Sequence, residues 1–341
     1  MPGRMRGPDA RGDPEPGHGP GTTRDPEAIL RRVEWTVLRR LDGLLYGDYR
    51  TLFRGAGLDL ADLREYQLHD DVRHIDWNVT ARLQTPYVRE FHEDREITAW
   101  FLLDVSPSVD FGSEAVKKEA ILLEFVAILA RLLSRNGNRV GAMLYRSDLE
   151  VPIPPTSGRN QVLRILSRIL SRREGSEPPA AGTDAAPPPG MTDLGAFLQG
   201  AGHIMKRRSF VFVVSDFISE PGWGKPLLNL ARRHEVLAVR LFDPLELALP
   251  DLGLVVMEDA ETGEQLLVDT HDEGFRTRFQ EAARLREESL RATLRQAGVD
   301  ALELSTDSDP VDAILRFADL RKSRSQLAAR GGLPNHIETG P

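Results

Sequence analysis

Apolar positions along the chain fall into two regimes. From Pro26, the segment PEAILRRVEWTVLRRLDGL repeats its apolar residues near i, i+3, i+4 and i+7, the stripe of an amphipathic helix. The stretch that follows, YGDYRTLFRGAGLDLADLREYQLHDDVRHIDWNVTARL, keeps no period and predicts an irregular segment ordered by its contacts. From Tyr87 onward, short apolar runs alternate with helical stripes. PYVREFHE alternates as an edge or meander strand, whereas ITAWFLLDV, NRVGAMLYR, SFVFVVSDF and EVLAVRLFD are nearly continuous runs, the pattern of strands buried on both faces. LEVPIP predicts a short partner strand, VDALELS a last core strand, and LGLVVME with EQLLVDT a hairpin. Helices are predicted over Ser113–Ser134, in GRNQVLRILSRILSRR, MTDLGAFLQGAGHIMKRR and KPLLNLARRH, over Phe275–Ala297, and in PVDAILRFADL.

Strands alternating with helices predict a three-layer, Rossmann-like α/β domain with a mostly parallel central sheet, over residues 96–320. Residues 26–95 form a helical and irregular extension with a β meander ahead of it. Residues 1–25, rich in Pro, Gly, Arg and Asp, are expected to be disordered. The Pro/Ala/Gly stretch Gly175–Gly190 is expected to be a mobile loop within the domain, and residues 321–341 a frayed tail.

Composition narrows the function classes. The chain of 341 residues is 40% hydrophobic and 28% charged, the balance of a soluble globular protein. A net charge of -8 argues against nucleic acid and anionic membrane surfaces as partners. Without cysteine there is no thiol nucleophile, disulfide or thiolate zinc site. The longest apolar run, Ala120–Leu133, is interrupted by Glu124 and Arg131 and falls short of the ~20 residues a membrane span needs. No apolar leader segment opens the chain, so a cytoplasmic location is expected.

Chemistry concentrates where ITAWFLLDV ends. Asp104, Ser106 and Ser108 follow one another at every second position, which suits a helix cap, a nucleophile or a ligand set. No acid stands two residues after Asp104 and no G-x-S-x-G surrounds either serine, which weakens the nucleophile. No phosphate-binding glycine loop occurs, so nucleotide use by this chain is not expected. Thr192 precedes a later helix and Asp216 ends SFVFVVSDF, so both are expected at the same sheet edge. Two carboxylates and three hydroxyls are hard oxygen ligands suited to a divalent ion, Mg²⁺ first, with Mn²⁺ or Ca²⁺ as alternatives.

DVSPS, TDLGAFL and VVSDF, in that order, resemble the metal-ion-dependent adhesion site (MIDAS) of von Willebrand factor A-type domains. That resemblance implies a divalent cation held by Asp104, Ser106, Ser108, Thr192 and Asp216 and completed by an acidic residue of a partner. The preceding segment is similar to the bacterial family known as domain of unknown function fifty-eight, at Arg64, Tyr66, Asp71, Arg73, Ile75, Asp76, Trp77, Ala81 and Arg82. His69-Asp70-Asp71 departs from that family's usual Gly-Asp. The family resemblance implies a non-enzymatic adaptor or co-chaperone of a MoxR-type AAA+ ATPase, binding the ATPase or its client. The rival expectation is a metal-dependent phosphohydrolase or nuclease using the same acids.

Arg64, Asp71, Arg73, Asp76, Trp77 and Arg82 themselves predict either an internal network of arginine–carboxylate pairs packed around Trp77 or a partner-reading surface. His69, His74 and His92 lack the spacing of a metal set. The region Asp243–Phe275, with ten acids and no Lys or Arg, predicts a solvated hairpin that starts at the ligand-binding edge. The basic tail RKSRSQLAAR is expected at most to touch a partner.

Overall fold

A computed structural model of the chain describes residues 25–37, 63–67, 72, 75–89, 97–110, 116–146, 151–174, 192–258 and 265–328. Helix α1 (Pro26–Arg32) is capped by Asp25, whose carboxylate accepts the Glu27 amide, and runs on as a π-helical turn, Val33–Val37. Strand β1 (Leu63–Glu65), helix α2 (Trp77–Leu83) and strand β2 (Tyr87–Arg89) follow, with β1 and β2 paired antiparallel.

The remaining elements build the α/β unit. In chain order they are β3 (Thr98–Asp104), α3 (Lys118–Arg135), β4 (Arg139–Tyr145), β5 (Ile153–Thr156), α4 (Arg159–Glu174), α5 (Leu194–Ile204) and β6 (Phe210–Ser215). Then come α6 (Gly224–Ala231), β7 (Glu235–Phe242), the hairpin β8 (Leu254–Glu258) and β9 (Gln265–Asp269), α7 (Glu273–Ala297), β10 (Asp300–Ser305) and α8 (Pro310–Ala328). Six strands form one sheet in the order β10-β7-β6-β3-β4-β5, parallel except for the edge pair β4/β5. The expected three-layer α/β architecture with a mostly parallel sheet is thus the one observed.

Period-two alternation divides the core. On β3, Phe101 and Leu103 face one layer with α1, α3, α4 and α8, while Trp100 and Leu102 face the other with α5, α6 and α7. Phe101 stacks on Phe212 of β6 at 4.8 Å between ring centroids, tying the two central strands. The chain leaves β3 toward β4 on one side and later returns to lay β6 on the other. The carboxyl ends of β3 and β6 therefore form the topological switch point, where open α/β sheets bind ligands.

Several expectations change. Helix α3 begins at Lys118, after a 3₁₀ turn, Pro107–Asp110; the predicted start at Ser113 lies outside the described residues. Its first turn has no side-chain cap, because Lys117 offers no acceptor to the helix amides. Helix α8 extends well past Leu320, so the first part of the predicted frayed tail is ordered. Arg321 is buried there between Glu235 (2.8 Å) and Asp300 (3.2 Å), with its guanidinium also over the Phe317 ring.

Trp77 is 68% exposed and so is not the packing anchor of an internal network. It opens the short α2, whose Arg82 is exposed as well. Asp76 is buried, and its carboxylate accepts the Val79 amide as a helix cap while its own amide donates to the Tyr87 carbonyl. Arg64 lies on β1, opposite Val88. Asp71, Arg73 and the three histidines lie outside the described residues, as do residues 1–24 and the predicted loop 175–190.

Candidate metal centre

Each candidate residue arrives on a different piece of the switch point. Asp104 is the last residue of β3, and its Oδ1 accepts the Ser106 amide at 3.0 Å, a tight Asx turn that folds the loop back over the strand end. The buried Ser106 and Ser108 hydroxyls, two and four residues on from Asp104, hydrogen-bond to each other at 3.0 Å. Asp104 Oδ2 accepts the Ser215 hydroxyl at 2.7 Å, and the Ser215 oxygen in turn accepts the Phe217 amide. Asp216 follows, with its Oδ1 accepting the Ile218 amide at 3.0 Å. Phe217, between the two, has φ of 58°, a left-handed conformation that side chains other than glycine rarely adopt and that turns the chain sharply after the strand.

Thr192 is buried on the loop into α5. Its carbonyl accepts the Ser219 hydroxyl and the Glu220 amide, which fastens this loop to the one after β6. The neighbouring Asp193 caps α5 by accepting the Ala196 amide at 2.8 Å. Its own amide donates to the Tyr145 hydroxyl at the end of β4. All five predicted residues are thus buried: Asp104, Ser106, Ser108 and Asp216 cluster at the carboxyl ends of β3 and β6, and Thr192 is fastened to the loop that follows β6.

Two further ionic groups stand among them. Lys118, the first residue of α3, is 1% exposed and sends its ammonium to Asp216 Oδ2 (2.8 Å) and Glu246 Oε1 (2.6 Å). Its position has a sequence signal, since Lys118 falls on the same i, i+3, i+4, i+7 stripe as the buried Ile121, Leu122 and Phe125. Glu246 lies in a 3₁₀ turn, Pro244–Glu246, closed by a capping box with Asp243. Asp243 itself is held by the Thr306 hydroxyl and the Leu245 amide. Glu246 belongs to the acidic stretch expected at this edge, whereas Ser215 is marked only by standing next to Asp216.

Burial pushes the Asp104 carboxyl up to about 6, and the nearby Asp216 charge adds to it; the hydrogen bonds from Ser215 and Ser106 oppose the rise. Burial likewise raises Glu246, against the pull of Lys118. Burial alone would favour a neutral Lys118 amine, but Asp216 and Glu246 outweigh it and raise its pKa.

Among the described residues no group of three or more His, Asp or Glu side chains is gathered for a metal, so an ion here would depend on hydroxyls. Two features fit one. Neighbouring ligands of an octahedral ion with metal–oxygen distances near 2.1 Å stand about 3 Å apart, which is the separation of the two serine hydroxyls. Moreover, Asp216 and Glu246 share a single ammonium while Asp104 stands close enough to Asp216 to feel its charge, so carboxylates outnumber cations here. A cleft of about 300 Å³ opens beside Asp216 and Glu246, walled by Phe217, Trp223, Arg240 and Leu290.

The sequence model of a family described as "Protein of unknown function DUF58" matches residues 62–289. An uncharacterized protein of Mycobacterium tuberculosis, Rv1480, is 35% identical over 318 residues, covering 93% of this chain and 94% of its own. A crystal structure of the conserved hypothetical protein BatB from Bacteroides thetaiotaomicron is 13% identical, with a TM-score of 0.38 over 67% of this chain and 99% of that one. Manganese-loaded TRAP protein of Plasmodium vivax is 15% identical, with a TM-score of 0.30 over 42% of this chain and 57% of that one. No helix among the described residues is long and apolar enough to cross a membrane.

Proposed function

We propose that this chain, which belongs to the family of proteins of unknown function DUF58, is a protein-binding module that captures a partner's carboxylate through a divalent cation. The observation that carries this reading is the pair of buried serine hydroxyls, 3.0 Å apart, beside Asp104 and Asp216 at the switch point. A divalent cation there supplies a Lewis-acid position open to an outside oxygen. Ser106 and Ser108 would hold it, with Thr192 from the loop into α5. Asp104 and Asp216, whose four oxygens already accept protein hydrogen bonds, would balance its charge through water. Mg²⁺, which keeps several of its waters, suits such a site best.

The resemblance to the von Willebrand A-type adhesion site supports a protein carboxylate as the missing ligand. The family resemblance supports a MoxR-type AAA+ ATPase, or its client, as the partner that carries it. A pull-down of such an ATPase with purified chain tests the reading. Capture is expected in Mg²⁺, lost in EDTA, and weakened at least about tenfold by the paired change Ser106→Ala and Ser108→Ala, with the melting curve retained. Capture that persists in EDTA sinks the metal bridge. Phosphatase or nuclease turnover with Mg²⁺ or Mn²⁺ that disappears in the same variant would replace binding with hydrolysis.

A further inference from the structure

The ammonium of Lys118 has no explanation in helix stability. It stands in the first turn of α3, where the macrodipole disfavours a cation and where no side chain caps the helix. Its stem is buried, and its ammonium pairs with both Asp216 and Glu246. Asp216 has one oxygen on the Ile218 amide and the other on Lys118, so its charge is already engaged by a cation belonging to the chain itself. Lysine, a point charge on a flexible four-carbon stem, can give up such a position without moving the backbone.

We infer that Lys118 is a tethered competitor of the divalent cation: its ammonium clamps Asp216 to Glu246 in the ion-free protein and releases them when the ion is taken up. This rests on the metal reading above and adds its regulation. Release has a second effect. Glu246 closes the capping box of the turn that walls the cleft, so freeing it from Lys118 loosens that wall beside the carboxylates. Ion uptake at the serine pair is thereby coupled to the shape of the cleft that an incoming chain would meet.

Calorimetric titration of Mg²⁺ and Mn²⁺ into wild type and Lys118→Met tests the competition, because methionine keeps much of the stem and removes the charge. The variant is expected to bind the ion about tenfold or more tightly and to melt at a lower temperature in EDTA. Equal or weaker binding in the variant overturns the inference, since Lys118 would then be positioning Asp216 for the ion. If wild type binds no ion, the metal reading fails as well. A second measurement needs no variant: hydrogen exchange of wild type with and without saturating Mg²⁺. The amides of Leu245 and Leu247, bonded to Asp243 and Pro244, should lose protection in Mg²⁺; unchanged protection overturns the release.

Discussion

Asp104 is where burial and hydrogen bonding act most strongly against each other. Its carboxyl is raised to about 6 in the folded chain against an ordinary value of 3.8, so between those values the folded state holds a proton that the unfolded state has lost. The sign follows: this contribution is fully present below pH 3.8 and disappears as pH rises through 6. At 1.36 kcal/mol per pKa unit the full contribution is at most about 3 kcal/mol. Urea unfolding in EDTA between pH 3.5 and about 7.5, for wild type and Asp104→Asn, isolates it, because Glu246 shifts in the same direction and cancels in the difference. The stability of wild type relative to the variant should fall by roughly that amount across the range. A flat difference would mean that burial does not control this carboxyl. At this scale the sequence was informative where chemistry is spelled out by residue type. Asp104, Ser106, Ser108 and Asp216 follow from the ends of apolar runs. Lys118 needed more, since a lysine on a buried stripe is ordinarily read as a stem lying along the surface with its charge in water, and its acids lie about a hundred residues away in sequence.

At the scale of elements, the core strands were legible because parallel strands buried on both faces leave unbroken apolar runs, as in FLLD and FVFVVS. Helix ends were less legible. The start of α3 has no capping side chain to mark it, and α8 runs on past Leu320 with a tertiary ion pair holding it. Arg321 joins α8 to β7 through Glu235 and to β10 through Asp300, with its side chain 8% exposed. Periodicity cannot show this, because RKSRSQ on its own looks like a solvated helix end. Arg321→Met removes the charge and leaves the two carboxylates facing each other, so a loss of about 3 kcal/mol is expected in chemical denaturation. A frayed end would give a change within about 0.5 kcal/mol, and that result would refute the role assigned to Arg321.

At the scale of the whole molecule, the sheet order is what assembles the site, and no local pattern displays it. β3 and β6 are separated by more than a hundred residues and become neighbours only because the chain reverses direction across the sheet after β5. The alternation of strands and helices predicted that such a switch point exists, and the polar strand ends indicated where. The relation of α1 to the rest was not legible, because an amphipathic stripe says that a face is buried but not against what. In the structure Ile29, Leu30, Val33 and Val37 join the same core as α3 and α4, and Glu34 accepts from both Arg131 and Arg159 across that boundary. The charged contacts are partly exposed and contribute little, so the apolar residues carry the attachment. Leu30 is fully buried, and Leu30→Ala is expected to cost about 2–4 kcal/mol of the stability of the whole α/β unit. Circular dichroism and the fluorescence of the chain, which includes the buried Trp100 of β3, should then shift together in one transition. If α1 belonged to a separable module, the variant would lose helix signal in an early step while Trp100 and the sheet kept the wild-type midpoint, and the shared core would have to be abandoned.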